Sequence, residues 1–263
     1  MTVHFDIEGR AGGIPVLLSA GMGGVSAYWQ PQRPALAEHH AVITYDQRGT
    51  GRSRQPLPDP YTIAAMADDV IQILDAARVE KCHFVGHALG GLVGLDLALR
   101  HPDRLASLVP VNAWAKLDPH TARCFAVRTE ILRASGVAAY VRAQPIFLHP
   151  AAWLSAHAAH LAEEEARGIA NFQGAETIQR RIAAACAFDI LARLPEITTR
   201  TLIVATRDDM LVPWTCAQTL AAEIPSAELT LFDTGGHASN VTDPAPFNVA
   251  LLAFLARLPT PSS

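Results

Sequence analysis

Gly86-His87-Ala88-Leu89-Gly90-Gly91 follows the apolar run Cys82 to Val85 and opens the helical pattern Ala88 to Leu99. A short apolar run, a glycine-flanked corner and then apolar residues at helical spacing predict a strand-to-helix turn. Glycines on both sides of position 88 permit a corner so sharp that its middle residue is held in strained backbone geometry and projects out of the sheet. That middle residue is alanine. Six glycine-rich residues also describe an ordinary tight turn, so the meaning of the corner depends on what flanks it.

Working outward, further apolar or β-branched runs occur at Val3 to Ile7, Pro15 to Ser19, Ala41 to Tyr45, Leu105 to Val111, Thr201 to Ala205 and Glu228 to Phe232. Unbroken apolar runs mark strands covered on both faces, so a mostly parallel sheet with helices on both sides is expected. Ile63 to Ala77 has amphipathic helical spacing, and Ala88 to Leu99 is apolar nearly all round, as a buried central helix would be. Between about Trp114 and Leu194 the strand signals stop, and Ala-, Arg- and Glu-rich helical segments are broken by Gly136, Pro145, Pro150, Gly168 and Gly174. The expected division is an α/β core from 1–113 and 195–263 with a helical lid from 114–194. Pro259 to Ser263 reads as a frayed end.

Three more segments carry chemistry. Thr201 to Ala205 is followed by Arg207-Asp208-Asp209-Met210-Leu211-Val212-Pro213, and Gly235-Gly236-His237 follows the last strand. These segments resemble the acid and histidine loops of α/β-hydrolases and follow the glycine corner in the chain order nucleophile, acid, histidine of that fold; the resemblance implies His237 as the histidine and Asp209 as the preferred acid, with Asp208 the alternative. Leu18-Ser19-Ala20-Gly21-Met22-Gly23-Gly24 lies at the end of a strand. It resembles the HGxxG-type oxyanion loop of α/β-hydrolases, with Ala20 where many relatives carry His, and that resemblance implies a backbone anion hole built from the N–H groups of Met22 and Leu89, donors that do not depend on the residue at 88.

The corner resembles the nucleophile elbow G-x-S-x-G of α/β-hydrolases, with Ala88 in place of serine. Tyr45-Asp46-Gln47-Arg48-Gly49-Thr50-Gly51-Arg52-Ser53 is similar to the DxRGxGxS loop of the same superfamily; it reads as structural, with substrate contact by Arg48 the alternative. Within the superfamily, the chain resembles the RutD family, on GHALG, YDQRGTG, Val111-Asn112-Ala113-Trp114, Arg123-Cys124-Phe125, Ala143-Gln144-Pro145, Asn171-Phe172-Gln173-Gly174, Gly235-Gly236-His237-Ala238 and Asn240-Val241-Thr242-Asp243-Pro244. That resemblance implies the α/β-hydrolase fold, a native alanine at 88, and hydrolysis of carbamate or aminoacrylate with release of ammonia in uracil degradation. Alanine offers no oxygen for an acyl-enzyme, which leaves a His237–Asp209 dyad beside an anion hole, a proton-transfer tool. Asn112 and Trp114, where the chain leaves the core, are candidate substrate contacts, and at least one of Trp114, Phe147 and Trp153 is expected to line the cavity.

With 263 residues, 50% hydrophobic, 17% charged and a net charge of −4, the chain suits one globular domain with an insertion and carries no field that would collect nucleic acid or an anionic membrane. A small molecule is the expected partner, and a homodimer is compatible with the lid. No apolar run reaches the ~18 residues of a membrane span, and no signal peptide is read at the N-terminus. The four cysteines, Cys82, Cys124, Cys186 and Cys216, lack disulfide or zinc spacing, which points to reduced thiols and the cytosol. Nothing in the sequence calls for a cofactor or a metal. His157 and His160 share a helix face without a completing carboxylate pattern, Cys124 and Cys216 are poor substitutes for the missing nucleophile, and His87 is expected to point away from the pocket. Two rivals remain: a ligand-binding pseudoenzyme, and cofactor-free proton abstraction on a C–H or C–C substrate.

Overall fold

The structure, a computed structural model, describes residues 3–258. The expected frayed end at Pro259–Ser263 lies outside them. Seven strands form one sheet: β1 (Phe5–Gly9), β2 (Val16–Ser19), β3 (Ala41–Tyr45), β4 (Cys82–His87), β5 (Leu105–Val111), β6 (Thr201–Thr206) and β7 (Ala227–Phe232). Their order is β1-β3-β2-β4-β5-β6-β7, with β1 antiparallel and the rest parallel. The first strand begins two residues later than Val3, which is buried in the core outside the strand.

Because side chains alternate across a strand, each central strand feeds two cores. Leu17, Phe84 and Ile203 join one core, with Ile73, Leu74 and Leu92; their neighbours Leu18, Val85 and Val204 join the other, with Trp29, Phe247 and Phe254. This double burial explains the unbroken apolar runs. The helices are α1 (Arg33–Ala37), α2 (Ile63–Ala76), α3 (Leu89–Arg100), α4 (Pro119–Leu148), α5 (Ala151–Ala156), α6 (Ala158–Ala170), α7 (Ala175–Ala187), α8 (Trp214–Glu223), α9 (Ser239–Thr242) and α10 (Pro244–Ala256). On α2 the Thr62 hydroxyl caps the start, accepting from Ala65 N at 3.1 Å.

Between β5 and β6 the named elements are all helical, α4 to α7 followed by a 3₁₀ turn at Leu191–Glu196. Its two ends meet: Ile190 N donates to Ala115 O at 2.9 Å, and Lys116 pairs with Asp189 at 2.8 Å. Gly136, at φ +78°, kinks α4 into two pieces. Gly168, expected to break a helix, does not. It lies inside α6, where a β-carbon would stand 3.0 Å from the tip of Val141, Cγ1, on α4. Pro145 also stays within α4, near its C-terminal end.

Candidate active site

The corner between β4 and α3 is as tight as its glycines suggest. A β-carbon on Gly86 would come 2.2 Å from Gly90 O, and one on Gly90 would come 2.3 Å from Ser19 O. Ala88 sits between them at φ +46°, ψ −109°, a conformation that costs a non-glycine residue about 1–3 kcal/mol. It is held there by its N–H, which donates to Val111 O at 2.8 Å, and by its carbonyl, which receives Leu92 N at 3.1 Å. Helix α3 thus starts at Leu89, one residue later than expected, and the Leu89 N–H, in its first turn, has no acceptor within the helix.

His237 lies in the loop after β7, and its Nδ1–H donates to Asp209 Oδ2 at 2.8 Å; the two side chains are 2% and 1% exposed. Asp209 Oδ1 receives the N–H groups of Leu211 (2.7 Å) and Val212 (2.9 Å), so the carboxylate cannot rotate away. With Nδ1 committed to Asp209, Nε2 is the nitrogen left to exchange a proton. Asp208, the alternative acid, faces elsewhere: it accepts from the backbone of Gly236 (2.8 Å) and Gly235 (3.2 Å) and so fixes the loop that carries His237. The residues flanking Asp209, Asp208 and Met210, line an outer cleft of about 360 Å³ together with Ile146, His149, Pro150 and Leu154, while Asp209 itself turns inward.

His87 is buried behind the loop of His237. Its Nε2–H donates to His237 O at 2.8 Å, its ring lies 4.7 Å from that of His237 and 4.7 Å from that of Tyr28, and burial holds its pKa well below the ordinary histidine value, so it is a neutral brace. Its Nδ1 faces Gly21, where a β-carbon would stand 2.8 Å away. Asn112, at φ +48°, donates from Nδ2 to the same His237 carbonyl at 2.6 Å. Two side chains from the ends of β4 and β5 therefore aim the loop of His237. Asn112 Oδ1 has no partner and is buried; Trp114 is 2% exposed, packs 6.2 Å from Phe125 and buries an Nε1–H with no acceptor.

The loop Gly21–Gly24 closes a turn by Gly24 N to Gly21 O at 3.1 Å, which leaves the Met22 N–H outside the turn's own bond. The loop is braced from the second motif: Gln47 N donates to Gly24 O (2.7 Å), Gln47 Nε2 to Ala20 O (2.6 Å) and the Thr50 hydroxyl to Gly24 O (2.8 Å). Arg48 is paired with Asp69 through both Nε (3.0 Å) and Nη2, a structural clamp. Met22 O receives Gln173 Nε2 from the helical insertion at 3.1 Å.

The other candidates fall outside this cluster. His157 stacks on Trp153 at 4.1 Å and His160 pairs with Glu164 at 3.3 Å, both on the surface. Among the described residues no three metal-donor side chains gather. Burial pushes the Cys216 thiol up to about 12 and raises that of Cys124, which withholds the thiolate from both. Sequence reasoning passed over His149, whose ring lies tilted against that of Trp153 at 4.6 Å and which is held at about 4 by burial and then by the nearby His237. It also passed over Arg128 and Arg181. Each stands in an apolar stripe, Cys124-Phe125-Arg128-Leu132 and Ile178-Arg181-Ile182-Ala185, and that misplacement is the signal that could have flagged them.

The family model for the alpha/beta hydrolase fold matches residues 14–244. A relative from Agrobacterium fabrum is 54% identical over 96% of this chain and 98% of its own length, and one from Variovorax paradoxus is 55% identical over 99% and 98%. Both carry the name "Putative carbamate hydrolase RutD". Among solved structures, a hydrolase from Pseudomonas aeruginosa superposes with a TM-score of 0.86 at 32% identity, covering 95% of this chain and 93% of that one. No helix among the described residues is long and apolar enough to cross a membrane.

Proposed function

Since the chain belongs to the α/β-hydrolase family and, within it, to the RutD group, we propose that it releases ammonia from carbamate or aminoacrylate in pyrimidine catabolism, by proton transfer through His237. The observation that carries this reading is an intact elbow and an intact His237–Asp209 dyad around a residue with no hydroxyl.

Carbamate bears its negative charge on the carboxylate, so attack by an oxygen nucleophile is disfavoured. Delivery of a proton to its nitrogen is enough: the C–N bond breaks, its electron pair leaves with nitrogen as ammonia, and carbon dioxide remains. Aminoacrylate derived from a pyrimidine ring is an enamine, H₂N–CH=CH–COO⁻; a proton delivered to the carbon beside its carboxylate makes an iminium ion, water adds to the C=N bond, and ammonia leaves to give the oxo acid. Neither route needs an acyl-enzyme. In both, Nε2 of His237 gives or takes the proton, Asp209 fixes the ring and its tautomer, and the N–H groups of Leu89 and Met22 stabilise negative charge on oxygen. Four unpaired cysteines support a reducing compartment, the cytosol, for this chemistry.

The test is ammonia release from freshly prepared carbamate and from enzymically generated aminoacrylate. His237→Ala is expected to lower the rate by about 10²–10⁴. Equal rates in the two proteins would remove His237 from the reaction, and binding without His237-dependent turnover would favour the pseudoenzyme.

A further inference from the structure

Two guanidinium groups are buried in the helical insertion without a counter-charge. Arg128 of α4 is 3% exposed and Arg181 of α7 is 0% exposed, and among the described residues no carboxylate lies within 4 Å of either. Each is tethered by Nη2 to a neutral amide oxygen: Arg128 to Gln144 Oε1, Arg181 to Gln47 Oε1 with a second bond to Gly21 O at 3.2 Å. In both, Nε and Nη1 are buried with no acceptor.

Isolated buried charge is expensive unless it is paired, and glutamine supplies no charge. Aromatic faces offset part of the cost at Arg128, which lies 5.5 Å from the centre of Phe125, 5.9 Å from Tyr140 and 5.8 Å from Phe147. Beside Gln47 and Gly21, Arg181 has the tyrosines Tyr61, Tyr45 and Tyr140 acting on it, and burial pulls its pKa down from the ordinary value. The two groups share a neighbour: the Tyr140 hydroxyl is 3.4 Å from Arg128 Nη2 and also acts on Arg181. They border the site as well. Arg181 touches Gly21 of the loop that carries Met22, and the Phe147-Leu148 stretch that packs on Arg128 also anchors the histidine loop, since Leu148 O accepts from Ala238 N at 3.1 Å.

We propose that Arg128 and Arg181 form the subsite that takes the carboxylate of the substrate, so that this site selects small carboxylate anions over their neutral amides. The inference rests on the proposed reaction, in which both substrates carry a carboxylate, and it assigns binding and not proton transfer to these arginines. The bound anion supplies the counter-charge that the fold withholds, and it accepts from the free Nε and Nη1 donors.

Acetate, isosteric with carbamate, and acetamide, its neutral isostere, test this by titration against the full chain, read as ligand-observed NMR affinity and as the shift in Tm. The intact protein is expected to bind acetate about ten- to hundredfold more tightly than acetamide. Arg128→Gln and Arg181→Gln, each first shown to melt cooperatively, are expected to lose that preference, whereas His237→Ala keeps it. Equal affinity of the intact protein for the two probes overturns the inference without any variant being needed, and so does an undiminished acetate preference in both arginine variants. A preserved acetate preference with no His237-dependent ammonia release would instead defeat the proposed reaction and leave the subsite standing.

Discussion

At the scale of single residues, Ala88 decides what the site can do. The backbone around it still has the φ of +46° that projects a nucleophile, yet the side chain ends in a methyl group. Restoring an oxygen should therefore restore the missing reaction. Ala88→Ser is expected to give a burst of about one equivalent of alcohol per chain with an activated ester, because the hydroxyl would stand beside the proposed His237–Asp209 base and the proposed backbone anion hole. The unaltered protein should give none, because burial keeps the thiols of Cys124 and Cys216 protonated at neutral pH. Stopped-flow absorbance reads the burst directly; a burst in the unaltered protein, or none in the serine variant, would show that the elbow does not address the dyad.

At the scale of elements, the strand-to-helix corner depends on β2 passing directly beneath α3. Gly90 is the point of contact, with no room for a β-carbon against Ser19 O and Ala20 O. Gly90→Ala is expected to destabilise the fold by about 3 kcal/mol or more, read as a lower urea midpoint, since backbone on both sides must move. Gly168→Ala is the control: the tip of Val141 can give way, and helix propensity favours alanine by about 1 kcal/mol, so the midpoint should stay within about 1 kcal/mol of the parent. Elements of this kind were legible in the sequence because their constraints are local. The glycines of the corner, the apolar runs of β4 and β6 and the acid and histidine loops each announce themselves within a few residues. The roles of His87 and Asn112 were not legible, because their partner, the His237 carbonyl, is 150 and 125 positions away and only the folded sheet brings it to them. Arg128 and Arg181 stood in plain view on apolar stripes, but a lone arginine on a helix is ordinarily read as a solvated side chain.

At the scale of the whole molecule, His83, buried, and His149, half-buried, weaken the fold in acid. His83, bonded to Ser107 Oγ at 2.9 Å at the start of β4, is pulled to about 4 by burial and then by His40, and His149 to about 4 by burial and then by His237. The unfolded chain protonates each near 6.5, so the folded state binds fewer protons below that value. The resulting stability is complete above pH 6.5 and is lost as pH falls towards 4, by up to about 2 kcal/mol per histidine at pH 5. The difference between urea midpoints at pH 7.5 and 5.0 should shrink in His83→Gln; an unchanged difference would exclude this origin.

The neck where Ala115 meets Ile190 and Lys116 meets Asp189 has a consequence for how such proteins diversify. Ends that touch impose no span on whatever joins them, so the whole cap between β5 and β6 is exchangeable cargo on a fixed chassis. Swapping that cassette for another of different length and lining would change what approaches Ala88 and His237, provided that the replacement also supplies the contacts that Leu148 makes to Ala238 and Gln173 makes to Met22.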